Sequence, residues 1–288
     1  MQYGVIQWPT KPDDPIARTR FAFIEETMRS LLEEGVFSVI TSRSKVRILD
    51  VMAASGICGV ALAKVLYEAG VDVDLAISDL RMNELELARQ WIEVAGLKEE
   101  NLSPRTIVAD ATMLPQYFKE EKFDIITIWG SSLPHLNVWE LPLLISGARE
   151  LQPPHGILIM EQADILPRIL VGNTFRYVMT EGKKALTIFE SYDTLRGVQR
   201  RLLYKLPEMK YIGRVESRLW EVAQVLALMW LFYTEVKLHD HKEVTGYISR
   251  ITKVLVAKQP RMTCTKWEEL AADLPRVISA LHQHEVFS

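Results

Sequence analysis

Two aspartates each close a run of apolar residues and precede the start of a helix. Asp50 ends the run VRILD and is followed by the small-residue turn MAASG at 52–56, while Asp79 ends the run LAISD. A β-strand that passes through a tight turn into a helix brings backbone N–H groups to the carboxyl edge of a sheet, where a ligand can bind. This spacing predicts a ligand site built from backbone amides and two carboxylates.

Two later segments place more polar groups directly after apolar runs. VADATMLP contains Asp110 and Ala111, and FDIITIWGSSLPHL opens into a loop with Ser131, Ser132 and His135. His135 is the candidate general base of this loop, because imidazole can exchange a proton near neutral pH. The alternative is a hydrogen-bonded loop histidine without a catalytic role.

Alternating strands and helices would position these groups. The β-rich runs are Val46–Val51, Val73–Ser78, Arg105–Val108, Phe123–Trp129 and Gly156–Glu161, and helical stretches lie around residues 59–69, 83–95 and 141–151. Such alternation is typical of a parallel sheet buried on both faces by helices. The expected fold class is α/β, with a Rossmann-like, doubly wound sheet.

The flanking segments have different patterns. Asp14 and Pro15 predict the start of an amphipathic leading helix. After the fifth strand, Ala185–Tyr192 and Gln199–Leu206 predict antiparallel strands joined by a turn at Gly197.

The remainder predicts a long apolar helix over Ser217–Tyr233, closing strands at Glu235–Leu238 and Arg250–Lys258, and short helices around Pro275. The expected divisions are an N-terminal arm and helix (1–41), a core (42–164), an antiparallel insert (165–218), a closing helix and strands (219–260) and a helical tail (261–288).

The four polar segments resemble, in order, the motifs of the class I S-adenosylmethionine-dependent methyltransferase superfamily, and of its small-molecule members in particular. In that family an acid ends the first strand before a glycine-rich turn, and a second acid ends the second strand. An Asp and a small residue follow the third strand, and the loop after the fourth strand passes near the methionine part of the cofactor and the methyl acceptor. The resemblance covers about residues 45–163.

The resemblance implies the family's fold with an antiparallel β insert after the fifth strand, and S-adenosyl-L-methionine as the cofactor. Asp79 would grip the ribose hydroxyls, and Asp110 would accept a hydrogen bond from the adenine amine. The implied cofactor-binding residues are Asp50, Met52, Ala53, Ala54, Ser55, Gly56, Asp79, Leu80, Asp110, Ala111, Trp129 and Gly130. Ser131, Ser132 and His135 would face the acceptor, with His135 as the catalytic candidate.

The first motif departs from the common family pattern. Met52 and Ala54 stand where that pattern has glycines, and only Gly56 of the core pattern remains. Met and Ser in this turn are similar to a known variant of the motif. An ordinary strand-to-helix turn is the alternative for this segment, and a helix N-cap is the alternative for Asp79.

Composition limits the classes of partner. The chain has 288 residues, of which 48% are hydrophobic and 25% charged, which is typical of a globular protein. The net charge of −3 argues against affinity based on neutralising many phosphates. We therefore expect a small-molecule acceptor and treat nucleic acid as the less favoured partner.

The sequence also predicts a cytoplasmic protein that does not bind membranes. Its two cysteines, Cys58 and Cys264, form no CxxC pair, and the most apolar stretch, Val222–Phe232, is too short to span a bilayer. The sequences HDH at 239–241 and HQH at 282–284 bring no further ligand by spacing, so no metal site is expected.

The insert carries an excess of positive charge. Between Arg176 and Arg218 there are ten Lys or Arg and five Asp or Glu. A basic cover over a site would attract an anionic acceptor or RNA, and a solvated strand face is the alternative. The insert is either a lid or a dimerisation hairpin, and the aromatic strip with Tyr3 and Trp8 is either a lid or a packed arm.

These observations predict a methyltransferase that moves a methyl group from S-adenosylmethionine to a small molecule by in-line displacement. The basic insert favours, as an alternative, an RNA or protein methyltransferase, and the altered turn favours a non-catalytic S-adenosylmethionine-binding module. A nicotinamide dehydrogenase is disfavoured because the turn lacks the spacing GxGxxG.

Overall fold

Two sheets organise the computed structural model of the chain, which describes residues 9–98, 102, 104–165, 169–170, 177–181, 183–241 and 252–282. The strands of these residues are β1 (Lys45–Val51), β2 (Asp72–Asp79), β3 (Arg105–Val108), β4 (Ile125–Ile128), β5 (Ile157–Ala163), β6 (Val178–Glu181), β7 (Ala185–Asp193), β8 (Val198–Lys205), β9 (Lys210–Ser217), β10 (Tyr233–His239) and β11 (Thr252–Pro260). The helices are α1 (Pro15–Glu33), α2 (Ser38–Thr41), α3 (Ile57–Glu68), α4 (Met82–Leu85), α5 (Ala88–Val94), α6 (Leu114–Phe118), α7 (Glu140–Glu150), α8 (Val222–Phe232) and α9 (Trp267–His282).

The larger sheet has the strand order β10-β11-β5-β4-β1-β2-β3. Strands β1 to β5 are parallel, and β11 is antiparallel to both of its neighbours. The order reverses between β1 and β4, which creates a crevice at their carboxyl ends where doubly wound folds bind ligands. The predicted Rossmann-like fold class is confirmed.

Apolar residues bury both faces of this sheet. Ile48 of β1 packs into a cluster with α1 and α3, whereas its neighbour Leu49 packs into a second cluster with α7 and α8. Successive strand residues point to opposite faces, so a strand covered on both sides is apolar throughout. This is why the core strands could be found as continuous apolar runs.

The leading helix begins as its sequence predicts. The carboxylate of Asp14 accepts a hydrogen bond of 2.8 Å from the Ile16 N–H, and Pro15 occupies the first turn, where a missing N–H costs nothing. One face of α1 is buried against α3. Helix α1 therefore covers the face of the sheet to which Ile48 points.

The insert forms the second sheet, with the antiparallel order β6-β7-β8-β9. Its two central strands match the predicted pair within one residue at each end, while the outer strands β6 and β9 were not predicted. The predicted helix over Ser217–Tyr233 is wrong at its start. Ser217 is the last residue of β9 and pairs with Gln199, and the helix begins only at Val222.

Two further expectations need correction. The helix expected around residues 83–95 is divided into α4 and α5 by non-helical residues between Leu85 and Ala88. Pro275 does not separate short helices, because α9 continues through it and gives up one backbone hydrogen bond.

Some predictions fall on residues that the structure does not describe. These are the aromatic strip with Tyr3 and Trp8, the start of the last predicted strand at Arg250, and most of the HQH sequence. Within the described ranges, no helix combines the length and apolar character that a bilayer crossing requires.

Candidate functional site

The predicted ligand residues meet at one edge of the larger sheet. Asp50 and Asp79 lie at the carboxyl ends of β1 and β2, which are adjacent and parallel. Asp110 follows β3, and Trp129 follows β4 on the other side of β1. The crevice at the strand-order reversal is therefore lined by all four sequence motifs.

The turn after β1 has a left-handed backbone at three positions, two of which hold residues other than glycine. The φ angles are 54° at Met52, 51° at Ala54 and 75° at Gly56. A left-handed conformation costs an L-residue about 1–2 kcal/mol. Strain of this kind concentrates at functional sites, where the surrounding structure imposes it. Met52 and Ala54 thus adopt the left-handed conformation that glycine adopts without steric cost.

Hydrogen bonds from the next strand hold this turn. The Ala53 N–H donates to the Ser78 carbonyl at 3.0 Å, and the Ala54 N–H donates to Asp79 Oδ2 at 2.7 Å. The Ser55 hydroxyl donates to the carbonyl of Thr10, which tethers the segment before α1 to the turn. Asp79 therefore fixes the shape of the first motif as well as ending the second.

The carboxylate of Asp50 points into the protein. Its Oδ2 accepts the Gly59 N–H at 2.8 Å, and its Oδ1 accepts the Thr127 hydroxyl at 2.7 Å. Complete burial raises the pKa of Asp50 to about 6, against the lowering effect of these two hydrogen bonds. Asp50 thus joins β1 to α3 and β4, and it positions the turn through these elements.

Asp79 is buried and engaged by a neighbouring arginine. Its Oδ1 accepts hydrogen bonds from the backbone N–H and the Nε of Arg81, at 2.9 and 3.0 Å. The Nη2 of Arg81 lies 3.3 Å from Oδ2. A ligand that gripped Asp79 through two hydroxyls would have to displace the Arg81 side chain. The adjacent Leu80 is 65% exposed, so it offers an apolar surface beside the acid.

Asp110 begins a short 3₁₀ turn at the end of β3. Its Oδ1 accepts both the backbone N–H and the hydroxyl of Thr112, at 2.8 and 2.7 Å. Its Oδ2 has no hydrogen-bond partner among the described residues. Ala111 is buried, and the Trp267 indole of α9 donates to the Thr112 carbonyl at 2.7 Å. The C-terminal helix therefore stabilises the backbone that presents Asp110.

The loop after β4 is tied to the turn after β1. The Ser132 hydroxyl donates to the Trp129 carbonyl at 2.7 Å and lies 3.4 Å from the Met52 carbonyl. Gly130 and Ser131 are both left-handed, with φ angles of 87° and 57°. Trp129 itself is buried in the core cluster that contains α1. The two loops consequently form one connected rim.

His135 lies near the Asp79–Arg81 pair. Local desolvation and the charge of Arg81 lower the pKa of His135 below its usual value, while Asp79 opposes this effect. The residue as a whole remains exposed, so the desolvation concerns the surroundings of its ring. A lowered pKa keeps the imidazole neutral at pH 7, the state in which it can accept a proton.

Two titratable residues at this rim were missed by sequence reasoning. Glu161 is buried, and its carboxylate accepts the N–H of Gly130 at 2.9 Å and that of Ser131. Burial raises the pKa of Glu161, and the positive charge of Arg20 opposes the rise. His241 lies 3.4 Å from Glu161, and burial lowers the pKa of this imidazole to about 4, so it is neutral at pH 7.

Arg20 reaches this rim from helix α1. A Cβ added at Gly130 would lie 2.2 Å from Arg20 Nη2, so only glycine at this position leaves room for the guanidinium. Arg20 is half-buried and makes no hydrogen bond or ion pair within the described part of the chain. Its sequence signal is its spacing, three residues after Ala17 and four before Ile24, which places a charge on the apolar face of α1.

Comparison with known proteins finds relatives in structure alone. The sequence matches no protein-family model and no curated protein sequence. The PH0226 protein of Pyrococcus horikoshii is 18% identical with a TM-score of 0.56, over 91% of this chain and 99% of that chain. An S-adenosylmethionine-dependent methyltransferase from Clostridium acetobutylicum is 13% identical with a TM-score of 0.54, over 82% and 91%.

A third solved structure is magnesium protoporphyrin IX methyltransferase from Synechocystis with bound S-adenosylhomocysteine. It is 15% identical with a TM-score of 0.50, over 90% of this chain and 91% of that chain. Likeness at these identities concerns the fold, and it extends over most of each chain. The chain has the Rossmann-like fold of the class I S-adenosylmethionine-dependent methyltransferases, with an antiparallel insert after the fifth strand.

Proposed function

We propose that the protein transfers a methyl group from S-adenosylmethionine to a small-molecule acceptor. The observation that carries this proposal is the buried Asp79, which ends β2 and accepts the Ala54 N–H of the left-handed turn. This arrangement joins a hydroxyl-binding acid to a backbone-lined turn at the crevice of a doubly wound sheet. The two methyltransferases of the same fold support it.

The residues present suit the ribose, the adenine and the methionine part of the cofactor. Asp79 would accept hydrogen bonds from the ribose hydroxyls, and Leu80 offers an apolar surface beside it. Asp110 has a carboxylate oxygen without a partner among the described residues, which suits a donor such as the adenine amine. Arg20 presents a guanidinium for the carboxylate of the methionine part.

When bound, the cofactor supplies a methyl group on a positively charged sulfur that is already a good leaving group. The protein's own task is then to hold the acceptor atom in line behind that methyl, and positioning of this kind contributes up to about 7–11 kcal/mol. Glu161 and Ser132 fix the loop after β4, on the side that we assign to the acceptor.

His135 would accept or orient a proton of the acceptor. We expect His135→Ala to leave S-adenosylhomocysteine affinity within about twofold and to lower turnover by about 10²–10⁴-fold. Unchanged turnover at all pH values between 6 and 9 would remove His135 from the catalytic residues.

Ion pairing in the insert favours a small molecule over RNA. Three arginines of the insert are matched by acids: Arg196 and Arg200 pair with Glu216, and Arg214 pairs with Glu190. A surface that bound phosphates would present such arginines unpaired.

The proposal is tested by calorimetric titration of the protein with S-adenosylmethionine and S-adenosylhomocysteine. We expect micromolar binding that weakens about 10–100-fold in Asp79→Asn and in Asp110→Asn, because each loses charge-assisted hydrogen bonds. Asp72→Asn is the matched control, since Asp72 begins the same strand β2 but is exposed. Absence of binding by folded wild-type protein would refute the proposal.

A further inference from the structure

The second sheet carries a cavity of about 390 Å³ whose lining includes none of the motif residues. Its wall contains three aromatic rings, Tyr177, Phe189 and Tyr192, and two arginines, Arg201 and Arg218. Tyr177 and Tyr192 are exposed. None of the described residues that line the cavity is acidic. Aromatic surface together with the positive charge of these arginines suits a ligand that is both flat and anionic.

Arg218 is the positive group whose partners are incomplete. Its guanidinium stacks on the Trp220 ring, 4.2 Å from the centroid, and its Nη1 donates to the Gly197 carbonyl at 3.0 Å. Its Nε is buried without a hydrogen-bond partner, and no carboxylate of the described residues pairs with it. A half-buried guanidinium without a counter-ion attracts an anion strongly, because water screens it poorly.

The turn between β7 and β8 is shaped around this arginine. A Cβ added at Gly197 would lie 2.0 Å from Arg218 Nη1, so the guanidinium fits only against a glycine. Arg201 is 6% exposed, and it donates to the hydroxyl and carbonyl of Thr187 and to the carbonyl of Tyr177. Both arginines are therefore held in place before any ligand binds, which lowers the entropic cost of binding.

Backbone hydrogen bonds attach the cavity wall to the loop after β4. The Arg218 N–H donates to the Pro134 carbonyl at 2.9 Å, and the Val138 N–H donates to the Arg196 carbonyl at 3.2 Å. Pro134 immediately precedes His135, the catalytic candidate. The cavity and the acceptor side of the candidate site are thus parts of one connected structure.

We infer that this cavity binds the methyl acceptor, and that the acceptor is an aromatic small molecule with a carboxylate. The aromatic rings would pack on its ring system, and Arg218 with Arg201 would hold the carboxylate. This inference rests on the proposed function, because the ligand is a methyl acceptor only if the protein is a methyltransferase. The chemical class of the ligand rests on the cavity alone.

The test uses two probes that differ only in the carboxylate, 1-hydroxy-2-naphthoate and 1-naphthol. Calorimetric titration of the full chain, with saturating S-adenosylhomocysteine, should give saturable binding of the naphthoate and at least tenfold weaker binding of the naphthol. Arg218→Gln should abolish this preference, whereas Arg218→Lys should keep part of it because the positive charge remains. Arg214→Gln is the control, because Arg214 lies on β9, which ends one residue before Arg218, but is exposed and paired with Glu190.

The two proposals fail in different ways. Equal binding of both probes, no saturable binding of either, or an unchanged preference in Arg218→Gln would overturn the inference while S-adenosylhomocysteine binding upholds the proposed function. Naphthoate preference without S-adenosylhomocysteine binding would keep the ligand class and remove the methyltransferase role. Thermal unfolding of each variant, within about 3 °C of wild type, shows that a lost preference is not a loss of fold.

Discussion

Charged side chains at the rim of the candidate site are arranged so that ligand binding must change their partners. Asp79 is gripped by Arg81 through two of its nitrogens, in addition to the Arg81 backbone N–H. Arg20 lies against Gly130 with no ion pair to any described residue. Arg81 thus occupies an acid that a ligand would use, whereas Arg20 is available to a ligand. Removal of these two arginines should therefore have opposite effects on binding.

Removal of Arg81 should strengthen cofactor binding. The ribose hydroxyls and Arg81 compete for the same two carboxylate oxygens, so Arg81→Gln should raise S-adenosylhomocysteine affinity about three- to tenfold, as expected for a partly exposed ion pair. Isothermal titration measures this directly. A weaker affinity in Arg81→Gln would mean that Arg81 contacts the ligand.

Removal of Arg20 should weaken binding only of ligands with a carboxylate. Arg20→Gln should bind S-adenosylhomocysteine about 10–100-fold more weakly and bind 5′-methylthioadenosine, which lacks the amino-acid part, within about twofold of wild type. Arg18→Gln serves as the control, since Arg18 is exposed on the same helix. Equal losses for both nucleosides would contradict the assignment of Arg20 to the carboxylate.

Elements of the core are joined through Asp50, which links β1 with α3 and β4. Its pKa of about 6 is above the value near 3.9 of an unfolded chain, so the fold prefers its protonated form. This contribution to stability is complete below about pH 4 and is lost as the pH rises through 6. Above that pH, an ionised Asp50 opposes folding.

Asp50→Asn should therefore flatten the pH dependence of stability. The free energy of unfolding of the variant, relative to wild type, should rise by about 1–3 kcal/mol between pH 4.5 and pH 8, because asparagine does not ionise. Urea unfolding at a series of pH values measures this change. A constant difference between the two proteins would show that Asp50 titrates equally in the folded and unfolded chains.

Core elements were predictable because their residues are buried on both faces of the sheet. The insert was harder, since β9 and β6 are stabilised by pairing with neighbouring strands rather than by an apolar pattern of their own. Residues 217–220 lie directly before the apolar helix α8, and the sequence predicts that the helix includes them. In the structure Ser217 pairs with Gln199, and the Arg218 N–H donates to the Pro134 carbonyl. These tertiary contacts override local propensity.

Site residues divide in the same way. The acids Asp79 and Asp110 could be located because strand ends place them at one edge of the sheet. The approach of Arg20 to Gly130 depends on how α1 lies across α3, which no local pattern describes. The inward direction of the Asp50 carboxylate likewise required Thr127, which is distant in sequence.

Charge over the whole molecule is balanced in a way that matches a small ligand. The net charge is −3, and Arg196, Arg200 and Arg214 of the basic insert pair with Glu216 and Glu190. Long-range attraction for polyanions is weak under these conditions, whereas the half-buried guanidinium of Arg218 acts over a few ångströms.

The protein should therefore not bind RNA. In a mobility-shift assay at 150 mM salt, we expect no complex with a 30-nucleotide RNA at protein concentrations up to about 10 µM, which is within the range of non-specific binding by basic domains. The variant pair Glu216→Gln and Glu190→Gln should increase any weak retention, because it exposes paired arginines. A salt-sensitive complex with wild-type protein would favour the RNA methyltransferase alternative.

The turn at residues 52–56 also affects how a fold of this kind is recognised among diverged sequences. A glycine pattern in a sequence motif indicates a left-handed backbone only indirectly, because glycine is the residue that most easily adopts it. Met52 and Ala54 adopt the left-handed conformation although neither is glycine. A search for the glycine pattern alone would therefore overlook this turn, whereas a comparison of backbone angles would find it.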